Sequence, residues 1–323
     1  MGFIFKLKNI YFIMFQTIYY PENHILTIIN KSDEFVNINV SFLCLDTNLC
    51  FFKGWAGIPQ YGYIDFYVQE DMSPALNELG IKVMIFDKEN GEIIFEENHF
   101  TKEGVPSNLI YSDPKEITYG PWYTMKYQNE YEGLLNVNED DVVYDLGANV
   151  GVFTKYILNQ STVKEIYIFE PTKRLIPYLE KTFLGLENVR IFEKGISGEN
   201  KECVFHLFTN SVSNTLLDFD GKNGTYEGCE IVECINLEDF IKQNNLLSPT
   251  IIKMDIESSE YESLDSSTDE FFSTVRLLLL EYHDNIDGRI MLIIERFLNL
   301  GFKVCLKTGC NLKDWTGNII LYK

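Results

Sequence analysis

The chain has 323 residues, 46% of them hydrophobic, and a formal net charge of −21. That hydrophobic share supports a packed core and excludes a disordered chain, and the length allows two domains. The acidic balance argues against nucleic acid as the main partner, because surfaces that grip phosphate are basic.

The chain opens on "MGFIFKLKNIYFIMFQTIYYPEN", whose apolar patch from Ile10 to Tyr20 is too short to span a bilayer. No integral membrane span is expected. Gln16 and the lack of a small-residue cleavage site count against a signal peptide. The first strand is expected near Phe15, with Met14 as an alternative start. Seven cysteines, an odd number without C-x-x-C spacing, read as small core residues in a reducing, cytoplasmic setting.

Residues 25–100 read as strands. In "FVNINVSFL", Val36, Ile38, Val40 and Phe42 face one way and Asn37, Asn39 and Ser41 the other. "YIDFYV" and "IKVMIFD" are further strands, and Asn-Gly in "DKENGEIIF" signals a hairpin. Residues 1–104 are therefore expected to form a small all-β, sandwich-like domain. Trp55 and the tyrosines of "YGYIDFY" suit either a sugar platform or ordinary strand packing. A linker follows at 105–118, marked by the prolines of "EGVPSNLIYSDPKE".

From 119 to 323 apolar runs alternate with helical segments. "DVVYDL", "EIYIFE", "VRIFEKGI", "TIIKMD" and "VRLLLLEYH" read as strands. "VFTKYIL", "TKRLIPYLEKTF" (with Pro177 as a kink), "LEDFIKQN", "SEYESLDSS" and "RIMLIIERFLNL" read as helices. "FKVCLK" and "NIILYK" close the chain as an antiparallel pair at one edge. The alternation predicts an α/β domain with a mostly parallel sheet covered on both faces.

In such sheets ligands bind beyond the carboxyl ends of the strands, where Asp145, Glu170 and Asp255 all fall. The turn after the first strand of this half reads Asp145-Leu-Gly147-Ala148-Asn149-Val-Gly151. A dinucleotide fingerprint has glycine where Asp145 stands, and a carboxylate there repels pyrophosphate. S-adenosylmethionine suits the turn better, with an ammonium, a sulfonium and no phosphate. Glu170, about twenty residues on, is placed to accept ribose hydroxyls. The plainer alternative is an aspartate that caps a helix beside a packing glycine.

"DLGANVG", "FEP", "INLEDFI", "IIKMDIESSEYESL" and "LLLEYH", in this order and spacing, resemble the FkbM family of S-adenosylmethionine-dependent methyltransferases over Tyr119–Lys323. The resemblance implies a seven-stranded class I, Rossmann-like domain behind the β-rich one. It also implies methylation of hydroxyls on sugars, glycans or polyketides. By it, Asp145, Gly147, Ala148, Asn149, Gly151, Glu170 and Asp255 line the cofactor site, with Ile196 and Ser197 near the adenine. One departure stands out: the family reads D-x-E-G-x-E after its fourth strand, and here Ser258 replaces the glycine. If that position needs positive φ, serine is strained. A capping box of Ser259 with Glu262 would make the change harmless.

A hydroxyl acceptor needs a base, and Asp255, Glu257, Glu260 and His283 are the candidates. His283 titrates nearest neutrality but suits a structural role equally well. Lys253 is expected to pair with an acidic neighbour. Glu281 and Asp284 with Asp255 would make an oxygen-ligand site for Mg2+, though no spacing demands one. The polar stretch "FTNSVSNTLLDFDGKNG", with Ser213 and Asn214, reads as an acceptor loop or a plain surface loop. The expected acceptor is a carbohydrate or glycoconjugate, with the β-rich half serving the acceptor, a partner protein or a second copy. N-methylation of an amino sugar or peptide-like group is the alternative reaction. A binding module with a decayed methyltransferase domain is the alternative outside enzymes.

Overall fold

The computed structural model describes residues 15–20, 25–45, 47–67, 80–88, 91–100, 109–113, 119–127, 130–131, 133–208, 215, 226–283, 285–307 and 312–323. They fall into two compact units, divided between Tyr123 and Thr124.

The first unit is built from two antiparallel sheets. Strands β1 (Phe15–Tyr20), β2 (Ile25–Asn30) and β5 (Tyr63–Tyr67) form one, in the order β1-β2-β5. Strands β3 (Val36–Cys44), β4 (Cys50–Ile58), β6 (Gly80–Asp87) and β7 (Ile93–Phe100) form the other, in the order β4-β3-β6-β7. Aromatic rings join the inner faces: Phe42 stacks on Phe52 at 4.6 Å and meets the edge of Phe66 at 5.5 Å. The alternation read in "FVNINVSFL" holds for Ile38, Val40 and Phe42, all buried. Ser41 and Leu43 are buried as well, so the outer face is covered at that end of β3. β6 and β7 pair antiparallel, with Gly91 at φ +69°; Asn90 of the expected Asn-Gly hairpin lies outside the described residues. Trp55, Tyr61 and Tyr63 are exposed, outside the core of this unit.

Helix α1 (Tyr119–Tyr127) carries the chain across the division. The second unit is organised by a seven-stranded sheet of β8 (Val142–Leu146), β9 (Glu165–Phe169), β10 (Val189–Phe192), β14 (Ile251–Met254), β15 (Leu277–Tyr282), β16 (Lys303–Leu306) and β17 (Gly317–Tyr322). Its order is β10-β9-β8-β14-β15-β17-β16, parallel except for β17. The order reverses between β8 and β14, so the chain leaves these neighbours in opposite directions and opens a crevice above their carboxyl ends.

The period of two along the strands sorts their side chains. Tyr144, Leu146, Ile252, Met254, Leu278, Leu280 and Tyr282 pack with α4 (Leu237–Asn244), α5 (Glu260–Ser266) and α6 (Ile290–Asn299) in one buried cluster. Asp145, Lys253 and Glu281 leave by the other face, at the crevice end. Helices α2 (Val152–Gln160) and α3 (Ile176–Thr182) connect the first strands of the sheet. Pro177 lies in the first turn of α3, where a missing N–H costs nothing, so it sets the start of the helix and does not kink it. The expected strand "VRIFEKGI" is divided: β10 stays in the large sheet, while β11 (Gly195–Ser197) joins β12 (Lys201–Phe208) and β13 (Tyr226–Asn236) in a small one. No helix among the described residues is long and apolar enough to cross a membrane.

Candidate active site

The glycine turn closes the crevice on one side. Gly147 has φ +73°, and a Cβ there would lie 1.8 Å from the carbonyl oxygen of Asp255. Only glycine lets the turns after β8 and β14 touch. Gly151, at φ +81°, starts α2 where a Cβ would collide with Phe183 and Leu179.

Two carboxylates brace the turn from below. Glu170 is buried, and its Oε2 accepts the Asn149 N–H at 2.7 Å while Oε1 accepts the Thr172 N–H at 2.8 Å. Asp145 has no exposed surface; its Oδ2 accepts the Thr154 hydroxyl at 2.7 Å, and its Oδ1 is buried without a hydrogen bond. Burial pushes both carboxyls up, opposed for Asp145 by Lys253 and for Glu170 by its hydrogen bonds and Lys253. Lys253, opposite Asp145 in the β8–β14 register, lies 3.9 Å from its Oδ1 and 3.4 Å from Asp255 Oδ2. The ammonium also donates to the Gly147 carbonyl at 2.8 Å, and its acidic neighbours hold it above the usual lysine range despite burial. The expected acidic partners of Lys253 are thus Asp145 and Asp255.

The turn after β14 is strained. Glu257 has φ +53° and Ser258 φ +91°, so serine does occupy a backbone that favours glycine. The capping box does not form: Ser259 makes no side-chain cap, and Glu262 pairs instead with Lys201 at 2.8 Å and Ser197 at 3.3 Å. Glu260 takes over the turn. Fully buried, it accepts the Ile256 N–H at 3.1 Å and the Ser258 N–H on both oxygens.

Glu260 also meets His283 Nδ1 at 3.1 Å. Burial lowers the His283 pKa, but the Glu260 hydrogen bond and the charges of Glu260, Glu257 and Asp255 outweigh it and raise it to about 9. With no further ligand, the imidazole is therefore a cation at neutral pH. Its Nε2 faces Glu257 at 3.8 Å and Glu281 at 3.9 Å. Glu281 is raised to about 7 by partial burial and by Asp255. Asp255, Glu281 and His283 each offer one ligand atom to a common point, with those atoms within 4.8 Å of one another.

The structure thus brings Asp145, Gly147, Ala148, Asn149, Gly151, Glu170, Asp255, Glu257, Glu260 and His283 to one end of the sheet. Ile196 and Ser197 sit on β11, both buried; Ile196 belongs to the core, and Ser197 is held by Glu262. Ser213, Asn214 and Asp284 lie outside the described residues. Thr215 donates its hydroxyl to the Glu257 carbonyl at 2.7 Å, on the strained turn. Tyr131 went unnoticed in the sequence: its ring packs on Phe153 at 5.8 Å, and burial followed by the charges of Glu130, Asp145, Asp255 and Glu281 raises its phenol well above normal. No spacing rule marks a residue that reaches the site from outside the strand-turn-helix units.

Residues 145–304 match the family described as the methyltransferase FkbM domain. The C-terminal region belongs to the FkbM family. The chain is 25% identical over 176 residues to 2-O-methyltransferase NoeI of Sinorhizobium fredii, covering 51% of this chain and 72% of that protein. It is 24% identical over 157 residues to hexuronic acid methyltransferase AglP of Haloferax volcanii, covering 48% of this chain and 62% of that protein. Less than two thirds of AglP is therefore spanned. A crystal structure of methyltransferase FkbM from Methylobacillus flagellatus is similar with a TM-score of 0.43 and 16% identity, over 62% of this chain and 48% of that one.

Proposed function

We infer that this FkbM protein is an S-adenosylmethionine-dependent methyltransferase acting on a hydroxyl of a sugar, glycan or glycoconjugate. The observation that carries the cofactor reading is the 2.7 Å bond from the Asn149 N–H to Glu170. A phosphate-binding turn keeps such N–H groups free for the ligand. Here a carboxylate already takes the donor, and Asp145 adds a second buried acid with an orphan oxygen. Both disfavour a phosphate and suit a nucleoside ligand that carries positive charge.

S-adenosylmethionine supplies a methyl group already activated on a sulfonium. The chain's own part is to position and to receive a proton. Gly147 lets the turns after β8 and β14 close together and Gly151 lets α2 start against Phe183 and Leu179, which shapes the backbone offered to the ligand, and Glu170 keeps further lone pairs for ribose hydroxyls. Lys253 locks the β8 and β14 turns together. The acceptor is expected on the side of Asp255, Glu257, Glu281 and His283, beside Thr215, and its proton leaves into that cluster. The likeness to AglP, a hexuronic acid methyltransferase, supports the sugar acceptor, and the likeness to NoeI, a 2-O-methyltransferase, supports a hydroxyl as the methylated group. The β-rich domain 1–104, with its linker 105–118, is read as an accessory to the methyltransferase domain 119–323 in a cytoplasmic protein.

The test is calorimetric titration with S-adenosylhomocysteine of the wild type, Asp145→Ala and Glu170→Ala. Saturable binding by the wild type, weakened at least about tenfold in each variant, is expected, which is a loss of about 1.4 kcal/mol or more. A folded wild type that takes up no S-adenosylhomocysteine overturns the reading.

A further inference from the structure

We propose that Asp255, Glu281 and His283 bind one divalent cation through two carboxylate oxygens and one imidazole nitrogen. The site itself stands on its geometry; only its role, presenting the acceptor's oxygen for methylation, rests on the function inferred above.

The three ligand atoms lie within 4.8 Å of one another. An ion with bonds of about 2.1 Å holds its ligands roughly 3–4 Å apart, so a small rotation of half-exposed Glu281 completes the set. The backbone favours this grouping. Glu281 and His283 are two residues apart at the end of β15, hence on one face, and Asp255 follows the neighbouring strand β14 at the same height.

Carboxylates gathered at a protein surface are commonplace, and His283 is what separates this cluster from them. Its side chain is only 8% exposed. Glu260, with no exposed surface and pinned by two backbone N–H groups, holds Nδ1 and so fixes the ring. Metal-binding imidazoles are oriented by such an outer carboxylate. Nε2 is left aimed among acids, with Glu257 at 3.8 Å and Glu281 at 3.9 Å, both beyond hydrogen-bond reach. Among the described residues Nε2 makes no hydrogen bond, although the histidine as a whole is buried and its ring is locked in place by Glu260. Asp255 and Glu281 are 31% and 40% exposed, which leaves an entry path and open coordination positions. Lys253 occupies one side of Asp255 at 3.4 Å and tempers the affinity. A mixed oxygen and imidazole set suits Mn2+ better than Mg2+, which prefers oxygen throughout.

The experiment titrates Mn2+ into the full-length chain and reads the loss of the free-ion signal by electron paramagnetic resonance. One site is expected, with Kd below about 1 mM. Asp255→Asn and Glu281→Gln should each weaken it at least about tenfold, while the distant control Glu199→Gln leaves it unchanged. Pulsed measurements on the wild type should show nitrogen-14 modulation from a bound imidazole, absent in His283→Gln. Mn2+ that fails to bind below about 1 mM, or binds without that nitrogen signal, overturns the proposal, and this wild-type readout decides even if a variant misfolds. A parallel S-adenosylhomocysteine titration separates the two readings. Binding of Mn2+ alone keeps the cation site and overturns the methyltransferase assignment; binding of S-adenosylhomocysteine alone does the reverse.

Discussion

Replacing Ser258 with glycine should stabilise the protein. Ser258 holds φ +91°, and its hydroxyl is buried without a hydrogen bond. A non-glycine residue in that region costs about 1–2 kcal/mol. The unpaired hydroxyl adds about 1 kcal/mol, the lower end of the range because the residue is not wholly buried. Against these, glycine loosens the unfolded chain by about 0.5–1 kcal/mol. The net gain is about 1–2 kcal/mol. The unit that contains Ser258 spans Thr124–Lys323. In a unit of that size each kcal/mol moves the midpoint by about 2–4 °C, so a rise of about 2–8 °C is expected. Differential scanning calorimetry suits the measurement because it resolves the transitions of two units. Ser258→Ala separates the contributions: it removes the hydroxyl but keeps the strain, and should gain about 1 kcal/mol or less. A midpoint unchanged or lowered by glycine, with alanine the more stable of the two, would refute the strain argument.

Three other substitutions probe the same end of the sheet and its base. Gly147→Ala drives a methyl group to 1.8 Å from the Asp255 carbonyl, so it should cost more than about 3 kcal/mol in urea unfolding and abolish S-adenosylhomocysteine binding. Glu260→Gln keeps the size but turns an amide toward the Ile256 and Ser258 N–H groups; a loss of about 2–3 kcal/mol is expected by the same assay. Arg276→Ala removes the guanidinium whose Nε donates to Asp141 Oδ1 at 2.9 Å. Burial raises the Asp141 carboxyl, but Arg276, Thr250 and the Asn138 N–H outweigh it and hold it below its ordinary value of 3.8. A depressed carboxyl stabilises the fold above its unfolded pKa and loses that contribution as pH falls through the folded one. Arg276→Ala should therefore cost about 1–2 kcal/mol at pH 7, discounted for the part-exposed guanidinium, and the gap to wild type should close below about pH 4. A gap that persists at pH 2 would place the contribution in packing and not in charge.

The strands and helices of the second unit were legible because their apolar periods are strong: "VVYDL", "IIKM" and "LLLLEY" each became a buried parallel strand. So were the carboxylates and glycines at the strand ends, since chain order alone puts Asp145, Glu170 and Asp255 there once the sheet is parallel. Local pattern could not decide which neighbours those side chains find. Ser259 and Glu262 have the spacing of a capping box, yet Glu262 is drawn to Lys201, 61 residues away, because an opposite charge on a packed strand outcompetes a local cap. The division of "VRIFEKGI" between two sheets depends on β13, whose partners are set by residues far along the chain. His283 read equally as a base or as a structural histidine; its tie to Glu260, 23 residues earlier, is one that only the folded sheet brings to 3.1 Å. The sequence by itself determined the order of elements, the glycine turn and the acids at its mouth, because these follow from periodicity and chain direction. Tertiary structure alone decided the charge states and the joint aim of Asp255, Glu281 and His283, because burial and long-range pairing, not local spacing, control them.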